Sequence, residues 1–370
     1  MRLHDALDKA SAAQASKVAL CVCDKSVLTF DDLSALSTVL AHGLARRGLK
    51  PGDRVGLVAG HSTAAVGLFW AILKASGVVV WLSDQYENSE LRSVIRDADP
   101  KLIFVESDKI LAGLNGFDHP GLQVFSLADL QAFEAEASKG TVALPDGNED
   151  DLAAIVYTSG SSGKPKGVCL SHRNLLSVAR AVIEHMAITP ADSYLMVVPL
   201  HYVHGMMQLL VHAVAGCTIH FAQNFMFPQT VVRLLQRTGV SGFSGVPYHF
   251  NALIDRGGLY DAELPNLRWL TVTGGKLPAS RILDILDHMT GIEFHVAYGQ
   301  TECAPRATAL HPDRVRAKPD SVGSAIPGVT VWLLDGEEQP VQDGEVGEVV
   351  VEGPNVMIGY WRDPDATSAA

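Results

Sequence analysis

Between residues 18 and 120 the chain alternates short runs rich in apolar, β-branched residues with longer segments whose apolar residues recur at helical spacing. This alternation narrows the fold more than any other feature. Val18–Cys23 and Leu28–Phe30 read as strands, and Asp31–Arg47 reads as a helix with Leu33, Leu36, Leu40 and Leu44 on one face and Gly48 as its stop. After the turn Pro51-Gly52-Asp53 come a strand (Arg54–Ala59), a helix (Ala64–Ser76), a strand (Val78–Leu82), a helix (Asn88–Ala98) and a strand (Leu102–Val105). Strands separated by helices are joined by crossovers, so they form mostly parallel sheets covered on both faces. Residues 135–151 are polar and read as a linker or surface loop; the pattern then resumes at Leu152–Tyr157 and runs to about Leu310. Beyond it, Gly, Asp, Glu and Pro punctuate the β-rich runs Thr330–Leu334, Gly347–Glu352 and Val356–Tyr360. The expected architecture is α/β: two mostly parallel sheets with covering helices, in units of residues 1–150 and 151–310, followed by a small β-rich, barrel-like unit over 311–370.

At 370 residues the chain is too long for one simple core. Its 29 basic and 41 acidic residues give a formal charge of -12, which excludes a global electrostatic pull toward nucleic acid or an anionic membrane. That balance does not bear on phosphate binding, which depends on local backbone amides and metal ions. The longest apolar stretch, Val66 to Leu82, is broken by Lys74, Ser76 and Gly77 and reads as a buried helix followed by a strand, not a membrane span. The N-terminal MRLHDALDKASAAQ is amphipathic and charged and lacks the apolar centre of a signal peptide. Five scattered cysteines (Cys21, Cys23, Cys169, Cys217 and Cys303) have no CxxC spacing and read as reduced thiols of a cytoplasmic protein.

The segment from Ala154 to Val168 carries the chemistry. An apolar strand runs into Thr158-Ser159-Gly160-Ser161-Ser162-Gly163-Lys164-Pro165-Lys166-Gly167. Glycines let backbone N–H groups approach an anion closely. Thr158, Ser159, Ser161 and Ser162 offer hydroxyl donors, and Lys164 and Lys166 can neutralise charge building on a leaving pyrophosphate. It is not a Walker A loop, because Pro165 stands where a Ser or Thr is needed, and there is no GxGxxG dinucleotide fingerprint.

This loop resembles the signature of the adenylate-forming superfamily: acyl- and aryl-CoA synthetases, luciferase, and the adenylation domains of nonribosomal peptide synthetases. Other motifs follow in that family's order. Tyr298-Gly299-Gln300-Thr301-Glu302 is similar to its YGxTE, Thr273-Gly274-Gly275-Lys276-Leu277-Pro278 to its glycine turn, and Gly344–Val349 with Gly359-Tyr360-Trp361 to its GExGE…GYW region. Leu28-Thr29-Phe30, Gly52–Val55, Ser321–Gly323 and Pro327-Gly328 also match, so the resemblance spans about residues 18–367. It implies the family's N-terminal fold and ATP- and Mg²⁺-dependent activation of a carboxylic acid as its acyl-AMP, with later transfer to the thiol of coenzyme A or an acyl carrier protein. Residue by residue, it assigns ATP contacts to Thr158, Ser159, Gly160, Ser161, Ser162, Gly163, Gly274, Gly275, Ala297, Tyr298, Gly299 and Thr301. Tyr298 would stack on adenine, Thr301 would hold the α-phosphate, and Glu302 would ligate the metal. Catalysis falls to Thr301, Glu302, Lys164 and Lys166. The GYW region reads as structural, and Lys276 receives no role.

Val198–Gly205 matches the family segment that opens the acyl pocket. The resemblance assigns that pocket to Tyr202, Val203, His204, Gly205 and Val246, with Tyr202 as the gate and His201 and His204 on either side. Pro247 and Tyr248 extend the wall, and Met206, Met207 and Phe243 are candidates for the floor. Amino-acid-activating members carry an Asp where Val203 stands, and a buried valine cannot satisfy an ammonium ion, so the expected substrate is an acyl or aryl acid. The family's Tyr-x-Thr-Gly-Asp segment and lysine-bearing C-terminal domain have no counterpart in the chain. The alternative expectation is therefore a fragment that binds nucleotide or acyl group without efficient turnover.

Overall fold

The strand-forming runs assemble into two large sheets in the structure, a computed structural model that describes residues 1–22, 26–140, 142–159 and 165–370, apart from the side chains of Ser26 and Ser159. The first sheet has the strand order 359–360, 165–171, 152–159, 78–82, 54–58, 102–105, 123–126. It is parallel from 152–159 to 123–126, and its other two strands are antiparallel. The second sheet has the order 324–325, 308–310, 293–298, 269–272, 242–245, 193–196, 218–221, 18–22, 26–29. Its parallel centre is flanked by antiparallel strands at both edges.

Side-chain alternation along each strand makes these sheets walls between cores. In the first sheet Leu57, Val79, Trp81 and Phe104 face one cluster, while Val58, Val80, Leu82 and Ile103 face another. In the second, Met196, Ile219 and Phe221 join the cluster of Leu57 and Trp81, while Leu195, Phe243, Leu270 and Phe294 face a third. The shared cluster is the middle layer. The helix Thr63–Lys74 fills it and is buried at every position from Ala65 onward, which explains why its sequence is apolar all round. Lys74 ends this helix with its Nζ on Asp8 Oδ1 at 2.6 Å and Thr38 Oγ1 at 2.8 Å, so its buried charge is paired. Hydroxyl caps set the helix starts: Thr29 accepts from the Asp32 amide, Ser62 from Ala65 and Ser171 from Asn174.

Each strand and helix expected between residues 18 and 105 is found within a residue or two of its limits. The sheets, however, do not divide the chain at residue 150. Strands 152–159 and 165–171 complete the first sheet, and 18–22 and 26–29 complete the second. The uniformly apolar run Ala153–Val156 suits a central place beside the equally apolar Val78–Leu82, with Val79 opposite Ala154. Nor do residues 311–370 close into a barrel among the described residues. They give one strand to an edge of each large sheet and form a two-stranded antiparallel ribbon, 330–334 with 348–352. Trp332, Leu333 and Val349 of that ribbon are exposed, so it has no core of its own.

Candidate active site

Strands of both sheets end at one crevice, the place where open parallel sheets bind ligands. A cleft of about 820 Å³ lies there. From the first sheet come Ser83 after strand 78–82, and Val156, Tyr157 and Thr158 at the end of 152–159. From the second come Val198 and Pro199 after 193–196, Val246 after 242–245, Thr273 and Gly274 after 269–272, and Gly299 to Thr301 after 293–298. His61, just past strand 54–58, ties the two sheets beside the cleft, its ring nitrogens 2.8 and 3.1 Å from the carbonyl oxygens of Ala222 and Val198.

Of the residues singled out from the sequence, Thr158, Tyr202, Val203, His204, Val246, Gly274, Gly299 and Thr301 line this cleft together. Gly160, Ser161, Ser162, Gly163 and Lys164 lie outside the described residues, as does the Ser159 side chain. Ala297, Tyr298, Gly275 and Gly205 are not on its wall. Ala297 is buried within its strand, and Tyr298 pairs with Thr308 at the start of the antiparallel edge. Gly205 packs its helix against the backbone, for a Cβ there would stand 2.2 Å from the Pro199 oxygen. Pro247 and Tyr248 stand off the wall, and Tyr248 is exposed. Met206 and Phe243 belong to the cores, whereas Met207 lines a small cavity behind His204. Lys276 sits on the surface, 2.8 Å from Asp320.

The turn carrying Thr301 and Glu302 is held rigidly. Gly299 is required by close approach, since a Cβ would meet the Pro305 oxygen at 2.0 Å. The fully buried Asn355 donates to the carbonyls of Cys303 at 3.4 Å and Arg306 at 2.9 Å. Burial pushes the Cys303 thiol up to about 11, so it stays protonated and inert.

Glu302 and Lys166 are not on the cleft wall, but Glu302 follows Thr301, which is, and it does not stand alone. Its Oε1 accepts the Tyr360 hydroxyl at 2.7 Å, and the Lys166 Nζ sits 4.9 Å from the centre of the Tyr360 ring. Partial burial, then the Glu302 carboxylate, push that hydroxyl up to about 12 and keep it a donor. Gly359-Tyr360 pairs with Val168 and Cys169, and the Trp361 indole donates to the Asp97 carbonyl at 3.0 Å. The GYW run is thus structural through Gly359 and Trp361, but Tyr360 reaches Glu302, a contact its motif alone does not reveal.

At the acyl end, Tyr202 is 56% exposed at the mouth, with the His201 ring 4.3 Å from its own. His204 is half-buried, its Nε2 3.0 Å from Gln208 Nε2 and 3.1 Å from Ser244 Oγ. Burial, with Arg306 next, pulls His204 down to about 3, and burial pulls His201 and His249 down to about 4. The imidazoles of this wall are neutral at physiological pH.

The sequence profile of the AMP-binding enzyme family matches residues 7–361. The chain belongs to the AMP-binding enzyme family. This member is similar to feruloyl-CoA synthase of Amycolatopsis sp, with 31% identity over 93% of the chain and 68% of that protein. It is also similar to acyl-CoA ligase sidI of Aspergillus fumigatus, with 26% identity over 92% of the chain and 62% of that protein. Gramicidin S synthase 2 of Brevibacillus brevis is 27% identical over 94% of the chain, which spans only 8% of that much longer protein. Among solved structures, VinN superposes with a TM-score of 0.92 at 27% identity, covering 100% of this chain and 92% of that one. The anthranilate CoA ligase AuaEII, solved with anthranoyl-AMP, has the same fold, with a TM-score of 0.92 at 20% identity over 100% of this chain and 72% of that one.

Proposed function

We propose that this family member activates a small carboxylic acid with ATP, forming acyl-AMP and pyrophosphate, and that the acyl group then passes to the thiol of coenzyme A or a carrier protein. The observation that carries this reading is the convergence of Thr158, Gly274, Gly299, Thr301 and the Tyr202–His204 segment on one cleft. Nucleotide motifs and acyl-pocket motifs, far apart in sequence, share its walls. Feruloyl-CoA synthase and sidI, by their names, are acid–CoA ligases, which supports the same class of reaction here.

In this reading a carboxylate oxygen attacks the α-phosphorus in line. A P–O bond forms to the acid, the bond to the β-phosphate oxygen breaks, and pyrophosphate leaves with the electron pair. The Thr301 hydroxyl donates to the α-phosphate, and Lys166, with Lys164 and the hydroxyls of the 158–163 loop, meets charge on the departing phosphates. The turn around Thr301 needs no reorganisation as that charge develops, and the walls hold acid and phosphate at bonding distance. Glu302 is the residue that would hold Mg²⁺. No cluster of three or more His, Cys, Asp or Glu suited to a metal occurs among the described residues. One carboxylate fits a magnesium ion that draws its other ligands from phosphate and water, and such an ion would offset phosphate charge. Val203, 7% exposed at the acyl end, supports an acid without an α-ammonium group. Buried thiols at Cys169, Cys217 and Cys303, none in a disulfide, support a reducing, cytoplasmic setting, and no helix among the described residues is long and apolar enough to cross a membrane.

The test is acid-dependent exchange of labelled pyrophosphate into ATP, with hydroxylamine trapping of the acyl product, over a panel of aliphatic and aromatic acids. Label that enters ATP with one or a few acids is expected. Nucleotide binding with no acid-dependent exchange and no hydroxamate would leave a binding module and refute the catalytic reading.

A further inference from the structure

Behind His204 lies a second, much smaller cavity of about 30 Å³, whose mostly apolar wall, with Met186, Met207 and Trp269, is interrupted by Gln208, Ser244 and Arg306. His204 borders both this cavity and the large cleft, so the small one is the inner end of the acyl pocket. Arg306 is only 6% exposed, and its Nη1 is buried without a hydrogen-bond partner. None of the ion pairs formed by the described residues includes it. The indole Nε1 of Trp269, which lines the same cavity, is also buried and unpartnered. These two donors share the cavity with one unpartnered acceptor, the buried Gln208 Oε1, which is neutral and leaves the guanidinium charge uncompensated.

A buried guanidinium without a carboxylate is costly, and proteins rarely leave one so. Nothing nearby relieves it by charge. The neighbouring His185, His204 and His295 are all pulled down, by burial and in part by Arg306 itself, and stay neutral. Arg306 is lowered only to about 10 by burial, so it remains a cation at neutral pH. Its backbone cannot swing away, because the Arg306 amide donates to Cys303 at 3.0 Å and its carbonyl accepts from Asn355 at 2.9 Å. The volume is that of about two water-sized spheres, which matches the two oxygens of a carboxylate and is too small for a phosphoryl group.

We propose that Arg306 selects acids that carry a second carboxylate, which seats in the cavity behind His204 against the guanidinium while the first carboxylate is activated in the cleft. This rests on the reading of the cleft as an acid-activating site. Val203 fits it independently, since a site holding an uncompensated cation and no acidic residue at this end repels an ammonium group. His204, neutral and hydrogen-bonded to Ser244, stands on the wall of both spaces.

The experiment compares α,ω-dicarboxylic acids, malonate through suberate, and phthalate isomers with the monocarboxylic acid of the same carbon skeleton. Pyrophosphate exchange is one arm. Calorimetric binding in the presence of AMP is the other, and needs no turnover. One diacid is expected to exceed its monoacid partner at least about thirtyfold in both arms, with R306M abolishing that preference and R306K retaining part of it. R306M should raise the melting temperature without ligand, because it removes an unpaired buried cation, whereas a structural arginine would lower it on removal. The diacid should raise the melting temperature of the wild type but not of R306M. Equal use of mono- and diacids, a diacid preference that survives in R306M, or no diacid binding by calorimetry would each overturn the proposal. Diacid binding that depends on Arg306, with no exchange for any acid, would refute only the catalytic reading.

Discussion

Removing one hydroxyl should isolate what Tyr360 does for Glu302. In Tyr360→Phe the ring stays beneath Lys166, 4.9 Å from its Nζ, and the pairing of Gly359-Tyr360 with Val168 and Cys169 is untouched. Only the 2.7 Å hydrogen bond to Glu302 Oε1 is lost. A hydrogen bond to a charged acceptor contributes about 1.5–3 kcal/mol, and partial exposure at the cleft mouth reduces this to about 1 kcal/mol. The freed carboxylate must be ordered again whenever a cation binds, so the affinity for Mg-ATP should fall about fivefold, using about 1.4 kcal/mol per factor of ten. ATP binding in excess chelator should change less than about twofold, because the hydroxyl faces the carboxylate proposed to hold the metal. Titration calorimetry with Mg²⁺ and with EDTA gives both numbers on one preparation. Equal losses in the two conditions would show that Tyr360 supports the nucleotide site as a whole. A gain with Mg²⁺ would show that the hydroxyl competes with the cation for Glu302. Either result refutes the positioning role.

Glu302→Gln should weaken nucleotide binding at least about tenfold more with Mg²⁺ than without it, and equal losses in calorimetry would remove Glu302 from the metal site. Common α-amino acids should support exchange at least about a hundredfold less well than the best acid lacking the ammonium group, and parity would show that Val203 does not occupy the substrate's α-position. Stability should fall on acidification between about pH 6.5 and 4. Burial, then His4, hold His172 at about 4 against an ordinary 6.5, so the unfolded chain binds more protons in that window; the contribution is complete above 6.5 and lost as pH falls toward 4. The His172 Nδ1 accepts the Leu3 amide at 3.1 Å and so must be neutral. Urea unfolding at pH 7 and pH 5 should show a smaller difference in His172→Asn, by up to about 2 kcal/mol, and an unchanged difference would refute the assignment.

What the sequence made legible were features whose physics is local. Leu33, Leu40 and Leu44 line one helix face, the apolar run Val78–Leu82 forms a central strand, and Thr158, Gly274, Gly299 and Thr301 stand at strand ends where a cleft must form. Sheet membership was not legible, because Ala153–Val156 and Leu195–Val197 are equally apolar and nothing in either run says which sheet it joins. Tyr360 was hidden for a related reason: its hydroxyl serves a carboxylate 58 residues away, and its motif already had a sufficient structural reading.

Arg306 did leave a trace in the sequence. It interrupts the small, apolar run Cys303-Ala304-Pro305-Arg306-Ala307, directly before a strand that pairs with 293–298, a context in which a charged residue must be buried. A buried charge calls for a partner, and a partner supplied by the chain would be an acid on a neighbouring element. The elements packed around it instead supply His204, Ser244, Gln208, Thr271 and Trp269, all neutral. Val203 removes the one carboxylate that the same segment carries in members that activate amino acids. The two positions therefore bear on one quantity, the net charge at the inner end of the pocket. With a valine at 203 and an unpaired guanidinium at 306 that charge is positive, and in the largely apolar space behind His204 it would discriminate between acids more strongly than any difference in apolar contact along the walls.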